Sequence, residues 1–284
     1  MIPISIRNGP LDQLLRGIYK KASSDSIRVG GFLPPLHTDE LIIYFNPNRP
    51  SFTVRGLVMG TYERGTVKLI RRIMSQDMTL VDLGANIGYF SLIAAQAIVT
   101  NGKIYAFEPD PDTYAILERN IVVNGFQNLI EAMPAAIADQ EGTFTFHQYA
   151  NDAGSSSLIL RELPIGNSIE VGVTTLDLWA QARSWPNIDI VKMDIEGAEV
   201  AALNGMQEIS NRNKSLKLIV EFNAEALESA SSGHEELFSV LRFLGFTKFS
   251  IINDRSLRLL SIERDWKRLF RRTRWEPVNL YCEK

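Results

Sequence analysis

Residues 79–90 read TLVDLGANIGYF. An apolar run reaches an acid, Asp82, turns on two glycines, Gly84 and Gly88, and resumes as apolar and aromatic residues. That order describes a buried strand passing through a tight turn into a helix, with a turn whose main chain can approach a ligand closely. A dinucleotide site needs Gly-x-Gly-x-x-Gly, so that a pyrophosphate can rest on the helix N-terminus. Here Ala85, Asn86 and Ile87 separate the two glycines, and the match is incomplete. Asp82 weighs further against a diphosphate, because a carboxylate a few ångströms away would repel it by ~1 to 4 kcal/mol. The same carboxylate would attract a cation.

Outward from this loop, short apolar runs alternate with helical stretches: TLVDLG, KIYAFEP, LIEAMPAAI, IDIVKMD, LKLIVEF, FTKFSII and VNLYCEK. Strands that alternate with helices imply an α/β chain, a doubly wound, mostly parallel seven-stranded sheet of Rossmann-like type with helices on both faces. Ligands of such sheets sit at the carboxyl ends of the strands, where the strand order reverses. Those ends carry Asp82, Glu108, Asp194 with Glu196, and Glu221. Any one of them could simply cap the following helix. Together on one rim they favour a nucleoside with positive charge in place of phosphate, and S-adenosylmethionine, with its sulfonium and ammonium groups, is such a ligand. Glu108, closing the second strand, is placed to accept the ribose hydroxyls, a feature shared with NAD sites. Asp139 is placed to meet the adenine amino group, with Ala136 and Ile137 beside the ring; as part of Asp-Gln-Glu-Gly it also reads as a turn residue.

The 284 residues suffice for one α/β core with decorations. A formal charge of −3 gives no sequence-wide reason to expect nucleic acid. The single cysteine, Cys282, can form no internal disulfide and no thiolate metal cluster. The N-terminal stretch lacks the order of a secretion signal and no run is long enough to span a bilayer, so a cytoplasmic protein without a membrane partner is expected. The pattern changes near residue 60. Residues 1–60 are expected to form a helix (Leu11, Leu14, Leu15, Ile18) and a hairpin, with ELIIYFN and SFTVRG flanking PNRP. Residues 61–284 are expected to form the ligand-binding domain. No internal repeat appears.

The ordered set GTYERG, VDLGANIGYFSL, AFEPDPDTYAILERNIVVNG, AAIADQEGTFTF, TTLDLW, IDIVKMDIEGAEVAALNGM and LIVEFN, across roughly residues 60–222, resembles the FkbM-type methyltransferases. DIEGAE after a buried strand is the most discriminating piece. The resemblance implies the class I methyltransferase fold and O-methylation of sugars, macrolides or other natural products by S-adenosylmethionine. It implies that Asp82, Gly84, Asn86 and Gly88 hold the methionine part, Glu108 the ribose and Asp139 the adenine, with Tyr62 and Glu63 closing over the cofactor. Ser155, Ser156 and Ser157 of GSSSL either add hydroxyls to the pocket or form a plain polar loop.

Methyl transfer to a neutral hydroxyl requires alignment, exclusion of water and a proton acceptor. The candidates for the last are Asp194 first, then Glu196, Glu221 and His147, with Glu199 expected to face elsewhere or to cap. Asp194, Glu221 and Asn223 would also offer three oxygens to magnesium, but the resemblance calls for no metal and none is expected. A basic, aromatic segment with Arg264, Lys267, Arg268, Arg271, Arg272 and Arg274 around Trp266, Phe270 and Trp275 either overhangs the site and grips an anionic acceptor or is a solvated amphipathic helix. The partner expected is a small hydroxylated acceptor, with a homo-oligomer possible. The competing functions are an NAD-linked oxidoreductase and a non-catalytic cofactor-binding platform.

Overall fold

The computed structural model describes residues 26–29, 41–46, 52–59, 61–98, 101–150, 152–261 and 277–284. Its main sheet runs in the order β12-β11-β13-β10-β9-β3-β4-β5, from Arg258–Ser261, Lys248–Asn253, Val278–Glu283, Lys217–Phe222, Ile190–Met193, Thr79–Leu83 and Lys103–Phe107 to Ile130–Met133. The strands from β10 to β5 are parallel, and β13 lies antiparallel between β10 and β11. This is the doubly wound sheet that the alternating runs predict. It has eight strands instead of seven, because β12 pairs back on β11 at the edge. Continuous burial explains the largely apolar runs: every residue of β9 is buried, and of β3 all but the first, with Lys192 and Asp82, the charged residues in them, facing each other. Strand order reverses between β3 and β9, which opens a cleft beyond their carboxyl ends.

The third run is two strands. Pro134 has no N–H to give a ladder, so the chain leaves the main sheet after Met133 and Ala136–Ile137 (β6) starts a second one. There β6 pairs in parallel with Ile165–Thr174 (β8), and β8 in turn antiparallel with Gly142–Tyr149 (β7).

The expected hairpin across PNRP does not form. Leu41–Tyr44 (β2) pairs instead with Ser26–Val29 (β1), and SFTVRG enters a helix, Phe52–Met59 (α1). Thr53 and Leu57, both buried, lie one turn apart on that helix. Leu41, Ile43 and Phe45 are buried in the same apolar cluster as Leu80 and Ile104 of the main sheet. The expected helix at Leu11–Ile18 and the basic segment Arg264–Trp275 lie outside the described residues.

Helices flank the sheet: Arg64–Ile73 (α2), Tyr89–Ala95 (α3), Pro111–Val123 (α4), Leu176–Ala182 (α5), Glu199–Asn204 (α6), Gln207–Arg212 (α7), Ala224–Ser229 (α8) and His234–Phe243 (α9). The starts of several are written in their caps. Asp110 accepts from the Asp112 and Thr113 amides with Pro111 at the first turn, Thr175 accepts from Leu178, and Asn223 from Ala226. No described helix is long and apolar enough to cross a membrane.

Candidate active site

Two adjoining cavities open at the reversal point. Gly84 and Asp194 border both, so the loop after β3 and the end of β9 form the partition. Their contact is close: a Cβ on Gly84 would come within 2.0 Å of the Asp194 carbonyl oxygen, and Gly84 sits at φ +75°. Only glycine allows that approach.

The first cavity is a slot with largely apolar walls, among them Phe107, Ala136, Ile137, Phe146 and Leu158, and with Glu108 at one edge. Glu108 is held firmly. One carboxylate oxygen accepts from the Asn86 amide at 2.9 Å and the other from the Asp110 amide at 2.9 Å. Each oxygen keeps lone pairs for further donors. Asn86 itself takes the left-handed conformation, φ 52°, which asparagine tolerates, and its Oδ1 accepts from the Ile87 amide. Asp139, expected at the adenine edge, is exposed and absent from this wall. The backbone turns outward after Ala138 bonds Thr174, so Ala136 and Ile137 line the slot but Asp139 does not.

The second cavity is acidic. Glu63, Asp152, Asp194, Glu196, Glu221 and Glu225 line it, against Arg161 and Lys192. Tyr62 closes one side, its ring 5.9 Å from Tyr89 and 5.8 Å from Phe90. Glu63 and Glu196 both have positive φ, 36° and 53°, an unusual conformation for glutamate and a form of backbone strain that gathers at functional sites. Glu63 Oε2 accepts from Asn279 Nδ2 at 2.6 Å. Glu196 Oε2 lies 2.7 Å from Arg161 Nη1 and 3.3 Å from Asn223 Nδ2.

Asp82 is not at the mouth of either cavity. It is fully buried beneath the loop, accepting from Ser91 Oγ at 2.7 Å and facing Lys192 Nζ at 3.7 Å. Adjacent residues of a strand face opposite ways, and Asp82 takes the side that α3 covers. His147 is displaced by the same alternation: Phe146 points into the slot, while His147 is half-buried beside Ser168 on β7 and borders neither cavity. Glu199 is buried and caps, its carboxylate accepting from the Ile195 and Gly197 amides. Ser155 borders the acidic cavity and Ser156 the slot, whereas Ser157 is structural, donating to the Glu196 carbonyl at 2.9 Å. Asn223 accepts from the Ala226 amide with its Oδ1 and turns its Nδ2 to Glu196.

Burial dominates the ionisation of this cavity. It raises Glu63 from 4.5 to about 7, helped by Asp194 and opposed by Lys192. It raises Glu196 from 4.5 to about 8, with Asp194 adding and Arg161 opposing. Burial, then the charges of Glu196 and Asp194, lifts Glu221 well above the carboxylate range. Burial alone would lower Lys192, but Asp194, Asp82 and Glu63 more than reverse it and the ammonium stays charged. Two residues that sequence reasoning missed are therefore central, Lys192 and Arg161. A lysine inside the apolar run IDIVKMD was a legible signal of a buried charge awaiting partners; Arg161, in a polar loop, gave none.

The model of the Methyltransferase FkbM domain matches residues 82–248. Three characterised relatives are similar. Methyltransferase sdnD of Sordaria araneosa is 29% identical over 157 residues, 45% of this chain and 60% of that protein. Hexuronic acid methyltransferase AglP of Haloferax volcanii is 26% identical over 163 residues, 57% of this chain and 63% of that protein. The 2-O-methyltransferase NoeI of Sinorhizobium fredii is 24% identical over 167 residues, 52% of this chain and 67% of that protein. The chain thus spans 60% and 63% of the length of the first two.

Proposed function

Because the chain belongs to the FkbM methyltransferase family, matched over residues 82–248, we propose that it is an O-methyltransferase that moves the methyl group of S-adenosylmethionine to a hydroxyl of a small acceptor. The observation that carries this reading is the partition at Asp194, where an apolar slot meets a cavity lined by acids. A slot for a planar base beside an acidic chamber suits a nucleoside that ends in positive charge, and it would reject a diphosphate. Asp82 is paired to Lys192, so the negative charge of the chamber comes from Asp152, Asp194 and Glu225, with a partly ionised Glu63.

In this reading the slot of Phe107, Ile137, Phe146 and Leu158 takes the adenine, and Glu108, fixed by two amides, accepts from the ribose hydroxyls. The turn from Gly84 to Ile87, with Tyr62 and Glu63 opposite, holds the methionine part. When bound, the cofactor supplies an electrophilic methyl on sulfonium. The chain's task is then to align an acceptor oxygen, keep water away and take a proton. Alignment alone is worth roughly 7 kcal/mol or more of barrier, and general-base help ~10²–10⁴-fold. Asp194, Glu196 and Glu221 face the chamber and are the available bases; His147 does not line it. Even with Glu196 and Glu221 protonated, the acids on its walls outnumber Arg161 and Lys192, and the chamber favours an uncharged, hydroxylated acceptor. An anionic one would depend on the basic segment, outside the described residues. NoeI and AglP, methyltransferases by name for a 2-O position and for a hexuronic acid, are consistent with a sugar-like acceptor.

Titration calorimetry with S-adenosylhomocysteine and NAD, followed by a labelled-methyl screen against hydroxylated metabolites, tests the reading. Micromolar binding of the first nucleoside, none of the second and label transferred to an acceptor are expected. Uptake of NAD alone would overturn it, and nucleoside binding without label transfer would point to the non-catalytic platform.

A further inference from the structure

We propose that Glu221 is the final holder of the acceptor's proton, and that the charge on the bound nucleoside decides when Glu221 is empty to receive it. This rests on the cofactor reading above. Glu221 ends β10 and its Oε2 is buried without a hydrogen-bond partner. Oxygens of Asp194, Glu196 and Glu221 lie within 4.8 Å of one another. The two nearby cations are already engaged: Lys192 between Asp82 and Asp194, Arg161 with Glu196 at 2.7 Å. Among the described residues no ion pair reaches Glu221. Glu63 faces it across the cavity and Glu199 from the start of α6, and both add negative charge.

A buried surplus of carboxylates is tolerated only if protons or an external cation offset it. In the free protein a proton on Glu221 does so. A sulfonium in the same chamber replaces that proton, which leaves for solvent and exposes a carboxylate. As the acceptor oxygen forms its bond to the methyl carbon, the carbon–sulfur electron pair stays on sulfur, which becomes a neutral thioether. The acceptor's O–H bond breaks with its pair left on oxygen, and the proton passes to Glu221 Oε2. One positive charge disappears from sulfur and one negative charge from Glu221, so the chamber ends the step with its net charge unchanged and ready for product release.

The test counts protons. Calorimetric titrations of S-adenosylmethionine and S-adenosylhomocysteine are run near pH 7 in phosphate and in Tris, whose ionisation heats differ. The sulfonium nucleoside is expected to release about one proton more than the thioether, so that its affinity increases as pH rises through 7, by up to about tenfold per pH unit, while that of the thioether stays flat. Glu221→Gln should keep thioether binding, which reports an intact fold, and abolish the difference. Equal proton counts with both nucleosides bound would overturn this inference alone. A difference that survives in Glu221→Gln would do the same by assigning the proton elsewhere, the ligand's own ammonium included. Binding of neither nucleoside would remove the cofactor reading and this inference with it.

Discussion

Lys192 Nζ lies 3.3 Å from Asp194 Oδ2, two residues further on at the carboxyl end of the central strand β9, so that the base of the cleft carries a buried cation beside Asp194. The same ammonium reaches Asp82 at 3.7 Å and sits 4.7 Å above the Phe90 ring. Lys192→Met should therefore leave the buried carboxylate of Asp82 and the half-buried one of Asp194 without a counter-charge and destabilise the fold by about 3 kcal/mol. Urea unfolding monitored by circular dichroism measures this. An unchanged midpoint would mean that Lys192 is not what neutralises the cleft floor.

Asn120 on α4 and Asn124, the C-cap residue one turn on, treat β2 as a strand. Asn120 accepts from the Tyr44 amide and donates to its carbonyl, and Asn124 does the same with Ile42. Asn120 also donates to Ile87 O at 2.7 Å, tying β2 to the loop that follows β3. Asn120→Ala and Asn124→Ala should each cost about 1–3 kcal/mol, from buried backbone groups left unpaired. Only Asn120→Ala should also weaken S-adenosylhomocysteine binding, since only Asn120 braces Ile87. Equal nucleoside affinity in the two variants would count against a brace.

How far the sequence foretold this arrangement depends on what each residue's role is made of. β3, β4, β9 and β10 were legible because a strand buried on both faces needs a predominantly apolar run, and the acids at or next to their ends mark the cleft. Which way an acid turns is a tertiary matter. Asp82 and Asp194 end neighbouring strands, yet Asp82 faces α3 and Asp194 faces the cavities. His147 and Phe146 differ by one residue and so by a whole face of the sheet. Arg161 meets Glu196 across 35 positions of chain, a contact that no local pattern announces.

Glu63 offers a pH prediction. Its carboxyl is raised from 4.5 to about 7, chiefly by burial. A folded pKa above the unfolded one means that the native state binds more protons between those values, so its contribution to stability is complete below about pH 4.5, falls as pH rises and is gone above about 7. Glu196, raised to about 8, extends the fall upward. Thermal unfolding of the ligand-free protein should show Tm declining from pH 5 to 8. Glu63→Gln, whose amide oxygen can still accept from Asn279, should flatten the lower part of that decline. A Tm that rises across the range would contradict the assignment.

Gly84 and Gly125 share a backbone conformation, φ +75° and +76°, but not a neighbourhood: a Cβ at Gly84 would meet Asp194 O at 2.0 Å, whereas one at Gly125 would meet nothing within 4 Å. Alanine at Gly125 therefore bears conformational strain alone, about 1–2 kcal/mol, with nucleoside binding intact. Alanine at Gly84 bears the same strain and must also push the main chain of Asp194 away, moving the partition between the two cavities. Its loss should exceed about 3 kcal/mol, and S-adenosylhomocysteine should no longer bind measurably. Urea unfolding and calorimetry on the pair separate the two contributions. If Gly84→Ala costs no more than Gly125→Ala and still binds the nucleoside, the contact between the β3 loop and the end of β9 yields easily and does not set the shape of the site.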